Sequence, residues 1–498
     1  KTLNVHMRNY KKSVLFMTLF TLFSVQIYAQ EWKEVSVPGR ITHVQPMTGL
    51  VLWKDQARQL NSKYGQTIQL EFAYLLPNKV VKGCKQDGTI QYDWTSFEAL
   101  LNDIASRKHQ AVIRVRYENP DNDEVNASVK GSTAVPEYIK KRGDYHETFH
   151  KNGDGPTYYA DWRNAELKRF TLQFYTDLAE RYAHDRRLAF LETGFGHWSE
   201  YHIYGTEYKL GVNFPDMDFQ TRFIQHLNKV LNGRIEWGIS IDAASKDHSP
   251  VGNNAALMQA GFGLFDDSFM SSTHEIGSGD GYSEQKWQRI ASNNRWKKDF
   301  AGGEIAYSSR NEQQNFLNPT GMYGHTWEDM AKKYHITFML ANNAPGSRYA
   351  QPARFMQASL ATGYRFAIKK CESNGRATRV TITNKGVAPF YYDAWLTIGE
   401  KRSSVSLKNL LPGEERVVEI PDVTTSTKRL TIVSDRILPS QEIEFEGFTA
   451  SNDPTGIESV EDSGSSEQGA AYTIDGKKIT DPYYKGLVIK RGRKYMQR

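Results

Sequence analysis

From Gly49 to about Gly363 the sequence alternates short apolar runs with longer segments whose apolar residues recur at i, i+3 and i+4. That alternation is the pattern of parallel β/α units, because a strand buried on both faces needs an amphipathic helix to cover it. The strand runs are Leu50 to Trp53, Ile68 to Leu76, Ala111 to Tyr117, Leu188 to Phe195, Ile235 to Asp242, Ser268 to Thr273, Phe300 to Tyr307 and Asn342 to Tyr349. Helical segments fall between them, among them Trp94 to Ser106, Ala165 to His184, Asp218 to Leu231, Glu284 to Lys298 and Trp327 to Leu340. Eight such strands predict an α/β fold of the (β/α)8 TIM-barrel type.

A barrel needs about 250 residues, and this chain has 498, so more is present. Beyond Tyr364 the runs become short and alternating (Arg379 to Thr383, Ala394 to Ile398, Arg416 to Ile420, Arg429 to Val433), which predicts a C-terminal antiparallel β-sandwich. Ser451 to Gly469 is rich in Ser, Gly, Asp and Glu and reads as a linker. At the other end, Arg8, Lys11 and Lys12 precede an apolar run from Val14 to Ile27 and a cleavage-type Ala29, the pattern of a signal peptide. The expected organisation is therefore a signal segment over residues 1–29, a barrel over 30–365, a sandwich over 366–447, a linker over 448–469 and a terminal module over 470–498. An exported protein is expected: periplasmic, surface-attached or extracellular.

The net charge of +6 invites a nucleic-acid reading until it is located. Eight Lys or Arg against two acids lie between Asp475 and Arg498, so the rest of the chain is near neutral and no nucleic-acid groove is expected. Cys84 and Cys371 are the only cysteines, which excludes a disulfide framework and a cysteine-based zinc site.

Active sites of such barrels form at the C-terminal ends of the strands and in the loops that follow. Glu200 lies just past the fourth strand, in Gly194-Phe-Gly-His-Trp-Ser-Glu-Tyr-His202, and Glu304 lies near the end of the seventh, after Gly302 and Gly303. Glycosidic bond hydrolysis needs one carboxylic acid to protonate the leaving oxygen and one carboxylate to attack or to activate water. At these residues the chain resembles the clan A glycoside hydrolases, which place the acid/base after strand four and the nucleophile on strand seven. Gly194 to Glu200 resembles more closely a glycosidase-like barrel family of bacterial proteins of undefined function with a G-x-x-G-x-W-G-E motif. The resemblance implies Glu200 as acid/base and Glu304 as nucleophile of a retaining hydrolase. Ser199 stands where the clan has an Asn that contacts the sugar 2-hydroxyl, and Glu192, within strand four, is the rival to Glu200. The stretch from Ala471, with its Asp-Gly pair, Lys-Gly-Leu-Val-Ile strand and basic end, resembles the C-terminal sorting modules of exported Bacteroidetes proteins.

Other strand ends supply candidate sugar-binding groups: Arg116 on strand three, Asp242 on strand five, His274 and Glu275 on strand six, and Tyr307 on strand seven. Trp198, His197, Tyr201 and His202 surround Glu200, and a Trp two residues from the acid suits stacking against the C–H face of a sugar. Arg114, Arg116 and Arg348 lie at or near strand ends, and an arginine within hydrogen-bonding reach would keep the nucleophile ionised. The expected partners are a carbohydrate substrate and the export machinery; no cofactor and no metal are called for, and oligomeric state is not legible. Two alternatives stand beside this reading. One is a glycan-binding barrel without turnover. The other is a zinc protease on His146-Glu147-Thr-Phe-His150, which matches H-E-x-x-H, although Gly143 and the stretch from Asn152 to Pro156 would break the helix that motif requires.

Overall fold

The structure, a computed structural model, describes residues 31–272, 274, 282–291, 294–307, 310–451, 471–473, 479, 486–490 and 493–497. The expected signal segment, most of the linker and Glu275 lie outside the described residues. Among the described residues no helix is long and apolar enough to cross a membrane.

Eight parallel strands close into a barrel: β1 (Gly49–Trp53), β2 (Leu70–Leu75), β3 (Gln110–Val115), β4 (Leu188–Glu192), β5 (Glu236–Ser240), β6 (Gly263–Phe269), β7 (Ala301–Ile305) and β8 (Phe338–Leu340). They pair in chain order, and β8 returns to β1 through Phe338 opposite Gly49 and Leu340 opposite Val51. The closed parallel barrel predicted from the alternation is present. Strands such as β3 and β4 are buried at every residue, as a sheet lined by side chains inside and by helices outside must be.

Three long helices show why the sequence turns where it does. Helix α1 (Thr95–Ser106) buries Phe97, Leu101 and Ile104. Helix α2 (Ala165–Tyr182) starts where the Asn164 side chain accepts from the Leu167 N–H at 2.9 Å. In α3 (Met217–Leu231) Asp216 does the same for Phe219 at 2.7 Å, and Phe219, Phe223, Ile224, Leu227 and Leu231 form the buried stripe. Each such side chain contributes about 1.5–3 kcal/mol on burial.

Two strands differ from expectation. The sixth lies at Gly263–Phe269 rather than Ser268 to Thr273, because the acidic pair Asp266-Asp267 interrupts an apolar run that begins at Phe262. The eighth lies at Phe338–Leu340 rather than Asn342 to Tyr349, and the helix before it stops at Lys333. His335 takes a left-handed backbone (φ 54°), which ends the helix. The apolar residues that follow are buried on both sides, so their run carries no period to separate strand from helix.

The residues after Tyr364 form two mainly antiparallel sheets, the first of which also carries Phe445–Glu446 in parallel against Phe366–Ser373. One joins Phe366–Ser373, Thr378–Asn384 and Glu415–Ile420; the other joins Lys401–Arg402, Trp395–Ile398 and Leu430–Val433. The short strand Lys33–Glu34 pairs with Phe366–Ser373 and not with the barrel. This region plugs the barrel floor. Tyr392 accepts from the Glu236 N–H at 2.9 Å and donates to the Ala189 carbonyl at 2.8 Å, and Arg436 donates to the Leu188 carbonyl at 3.1 Å. Inside the floor Phe190, Phe300 and Phe338 pack with ring centroids 4.9–5.1 Å apart. With that end sealed, the C-terminal mouth is the face left for a ligand.

Residues 451–498 form a separate compact unit, in which Ala471–Thr473, Gly486–Lys490 and Arg493–Gln497 make a three-stranded antiparallel sheet.

Candidate active site

A cleft of about 1690 Å³ opens at the C-terminal mouth, with Glu200, Glu304, His202, Asp242, Trp198 and Tyr307 among its walls. Glu200 reaches it on a loop folded tightly back on itself. Trp198, Ser199 and Tyr201 all have left-handed backbones (φ 53°, 65° and 62°), a conformation that non-glycine residues adopt only when their surroundings impose it. Those surroundings are identifiable. A Cβ at Gly194 would lie 2.2 Å from the Ser199 carbonyl oxygen, and one at Gly196 2.3 Å from that of His202, so both glycines are required for the loop to close. The Ser199 hydroxyl donates to the Val115 carbonyl at the end of β3 (2.7 Å), and the Trp198 N–H donates to the Glu118 carbonyl (3.1 Å). Ser199 is thus a buried anchor. It does not line the cleft, so the sugar contact implied by the family's Asn is absent at this position.

Glu304 is set by a close strand approach. Gly303 (φ 137°) would place a Cβ 2.1 Å from the Asp266 carbonyl oxygen, and Gly302 would place one 2.8 Å from the Phe338 ring. The two glycines before Glu304 therefore accommodate neighbouring strands β6 and β8.

One guanidinium ties the carboxylates together. Arg114, on β3, donates through Nε to Glu192 (2.8 Å), through Nη1 to Glu200 and through Nη2 to Glu304 (3.2 Å). It is buried, with its cation over the Phe265 and Phe72 rings at 4.3 and 5.0 Å. Because Glu200 and Glu304 each meet one Nη of the same planar fork, their nearest oxygens are roughly 8 Å apart at most. Burial pushes Glu200 well above the ordinary carboxylate range; Arg114 opposes this, and Asp267 and Glu304 reinforce it. Burial lifts Glu304 to about 7 in the same way, against Arg114 and with help from Asp267 and Glu192. Glu192 is fully buried beside Arg114 and does not line the cleft, so of the two rivals on this strand Glu200 is the one a ligand can reach.

His202 and Asp242 complete this wall. His202 Nδ1 lies 3.2 Å from Asp242 Oδ2, and Lys286 donates to Asp242 Oδ1 at 2.9 Å. These contacts hold Asp242 below the usual range although burial pushes it the other way. Tyr204 stacks on the His202 ring at 4.5 Å. Trp198 faces the cleft with its Nε1 donating to Asn119 (2.8 Å), and Tyr307, 60% exposed, stands at the rim.

Four expected binding residues lie elsewhere. His197 is buried and bonded to the Tyr159 hydroxyl (2.8 Å), because the tight loop turns alternate side chains inward. Tyr201 is fully buried between Phe195 and Phe214. Arg116 is buried over the Tyr74 ring (4.3 Å) and pairs with Glu124 at 2.5 Å. His274 is buried against Phe269 and 2.9 Å from Asp266, a consequence of the earlier position of β6. The His146–His150 segment forms no helix: Thr148–Asn152 pairs with Gly155–Tyr159 as a hairpin, which places the two imidazoles out of H-E-x-x-H geometry.

Asp267 is the site residue that sequence reasoning missed. The pairing of β6 with β7 shifts register between Asp266 and Phe269, a bulge that turns Asp266 inward to His274 while Asp267 faces the cleft. Burial raises Asp267 to about 6, partly offset by His202. The signal was the glycine-bounded run Gly263-Leu-Phe-Asp-Asp, had the acids been allowed inside a strand.

No protein-family model and no curated protein matches the chain. Solved structures that it resembles include the catalytic domain of β-amylase from Paenibacillus polymyxa, at 14% identity and a TM-score of 0.39 over 63% of this chain and 98% of that one. Endo-glycoceramidase II from Rhodococcus sp. is similar at 9% identity and a TM-score of 0.40, over 77% and 100%. D-psicose 3-epimerase from Clostridium cellulolyticum H10 is similar at 9% identity and a TM-score of 0.31, over 62% and 94%.

Proposed function

We propose that this protein is a glycoside hydrolase in which Glu304 attacks the anomeric carbon and Glu200 first protonates the leaving oxygen and then deprotonates water. The observation that carries this reading is the pair itself: two carboxyls from the ends of strands four and seven, held on one arginine at the base of an open cleft. The charge requirements agree. The acid must hold a proton, which burial favours at Glu200; the nucleophile must lose one, which the Arg114 cation favours at Glu304. Trp198 and Tyr307 offer apolar ring surface to a sugar. The N-terminal apolar run and the basic C-terminal module support an exported enzyme acting on an external poly- or oligosaccharide. Retention requires the two carboxyls to stand about 5–5.5 Å apart, and inversion about 6.5–9.5 Å, so the anomer formed first distinguishes the two courses.

The test is hydrolysis of a panel of oligosaccharides and aryl glycosides by the parent and by Glu304→Gln, with the first-formed anomer read by proton NMR. Turnover lost in the variant and a retained anomer support the reading. Tight glycan binding by a parent that never turns over points instead to a carbohydrate-binding barrel.

A further inference from the structure

We propose that the cleft also contains a binding site for one divalent transition-metal ion, built from Glu200, His202 and Asp267. This goes beyond the glycosidase reading and does not depend on it. The three residues come from two strand ends, and one ligand atom of each lies within 4.8 Å of the other two.

The imidazole carries the argument. His202 is buried, yet its Nε2 has no hydrogen-bond partner and points to Glu200 Oε2 at 3.5 Å. Its other nitrogen, Nδ1, lies 3.2 Å from Asp242, which is itself fixed by Lys286 at 2.9 Å. With the ring proton directed to Asp242, Nε2 presents a lone pair toward a carboxylate oxygen. A divalent cation there would bond to the imidazole lone pair and to the carboxyl oxygen, in place of the proton that Glu200 otherwise holds. A carboxylate behind a histidine is the usual support of a metal-bound imidazole, since it sets the tautomer and the ring plane. The Tyr204 ring stacked on His202 at 4.5 Å restrains the same plane.

An ion bonded at about 2.1 Å sets neighbouring ligand atoms roughly 3–3.5 Å apart. The His202–Glu200 spacing already meets this, and Asp267, with a ligand atom within 4.8 Å of both, would have to move inward to complete the set. Three protein ligands with the fourth side open to the cleft leave room for water or a sugar hydroxyl. One imidazole and two carboxylates select zinc, manganese or cobalt over magnesium or calcium, which prefer oxygen alone. An ion on Glu200 takes the place of its proton, so the metal-loaded protein is expected to hydrolyse glycosides poorly.

The test uses the untagged full chain, stripped with chelator and titrated with ZnCl2 by calorimetry in the absence of any glycan. One equivalent bound, with CaCl2 at least about 100-fold weaker, is expected. His202→Ala and Asp267→Asn should each weaken zinc at least tenfold, and Asp242→Asn by about 10–100-fold. The double variant His146→Ala/His150→Ala should bind as the parent does. Asp267→Asn is nearly isosteric, so it decides the matter if His202→Ala misfolds by circular dichroism. No zinc binding, or binding that survives Asp267→Asn, overturns the proposal. Because the readout is binding without substrate, either result leaves the hydrolysis reading to be judged by its own assay.

Discussion

Arg114 donates to Glu304 at 3.2 Å while its other arm holds Glu200, so the two carboxyls facing the cleft are tied to one buried cation. Replacing it with Met leaves Glu192, Glu200 and Glu304 buried without their counter-ion. Breaking such a network costs roughly 3–5 kcal/mol. The loss should be smaller at pH 5 than at pH 8, because protonated carboxyls need no cation. Urea melts of parent and Arg114→Met at both pH values check this.

Replacing either glutamate tests its role in a way that depends on the substrate. Glu304→Gln should lower turnover by at least about 10³-fold on every substrate, whereas Glu200→Gln should lose about 10²–10⁴-fold on natural glycosides and much less on aryl glycosides with good leaving groups. Equal losses on both substrate types would remove Glu200 from the acid role.

The pH profile follows from the Glu304 environment. Its neighbours are Arg114, which lowers its pKa, and Asp267 and Glu192, which raise it, with burial the largest influence and the net position about 7. Attack needs the anion, so kcat/KM of the metal-free protein should fall as pH drops through about 7. Asp267→Asn removes one anion and should move that limb to lower pH. A limb that stays in place, or moves up, contradicts the assignment.

Glu118 lies at the end of β3 with its pKa lifted to about 8, by burial first and by Glu147 second. Its Oε2 has no hydrogen-bond partner. The folded protein therefore binds this proton more tightly than the unfolded chain does. Stability from this group is full at acid pH and declines as pH rises toward 8. Glu118→Gln keeps the acceptor that meets the Ala160 N–H at 3.1 Å and removes the charge. The variant should gain on the parent by about 1–3 kcal/mol between pH 5 and pH 9, read from thermal melts.

Tyr307 stands at the rim with little packed against it. Tyr307→Ala should leave the melting temperature unchanged and raise KM by a factor of about 2–10, the value of one aromatic contact. A shift in melting temperature without a change in KM would make it a structural residue.

The barrel was legible because period and length repeat: each buried strand and each amphipathic helix announces itself within a window of about ten residues. Glu200 and Glu304 were legible for the same reason, as acids at the ends of countable strands, and Arg114 and Asp242 followed by position. Strand six was misplaced by the acids within it, and strand eight by an apolar run whose period fitted a helix as well as a strand.

Residues of the same loop show where sequence stops deciding. His197, Trp198, Tyr201 and His202 are equally suited by type to meet a sugar, yet the left-handed turn at 198, 199 and 201 sends Trp198 and His202 to the cleft and the other two into the core. Asp267 and its neighbour Asp266 are separated likewise by one bulge. The sequence by itself determined the barrel and placed Glu200 and Glu304 at the ends of strands four and seven, since these depend on local periodicity and order along the chain. Only the tertiary structure decided which side chains meet. The Arg114 network, the open nitrogen of His202 and the place of Asp267 arise from backbone turns and from contacts between residues tens to nearly two hundred positions apart, which no local pattern encodes.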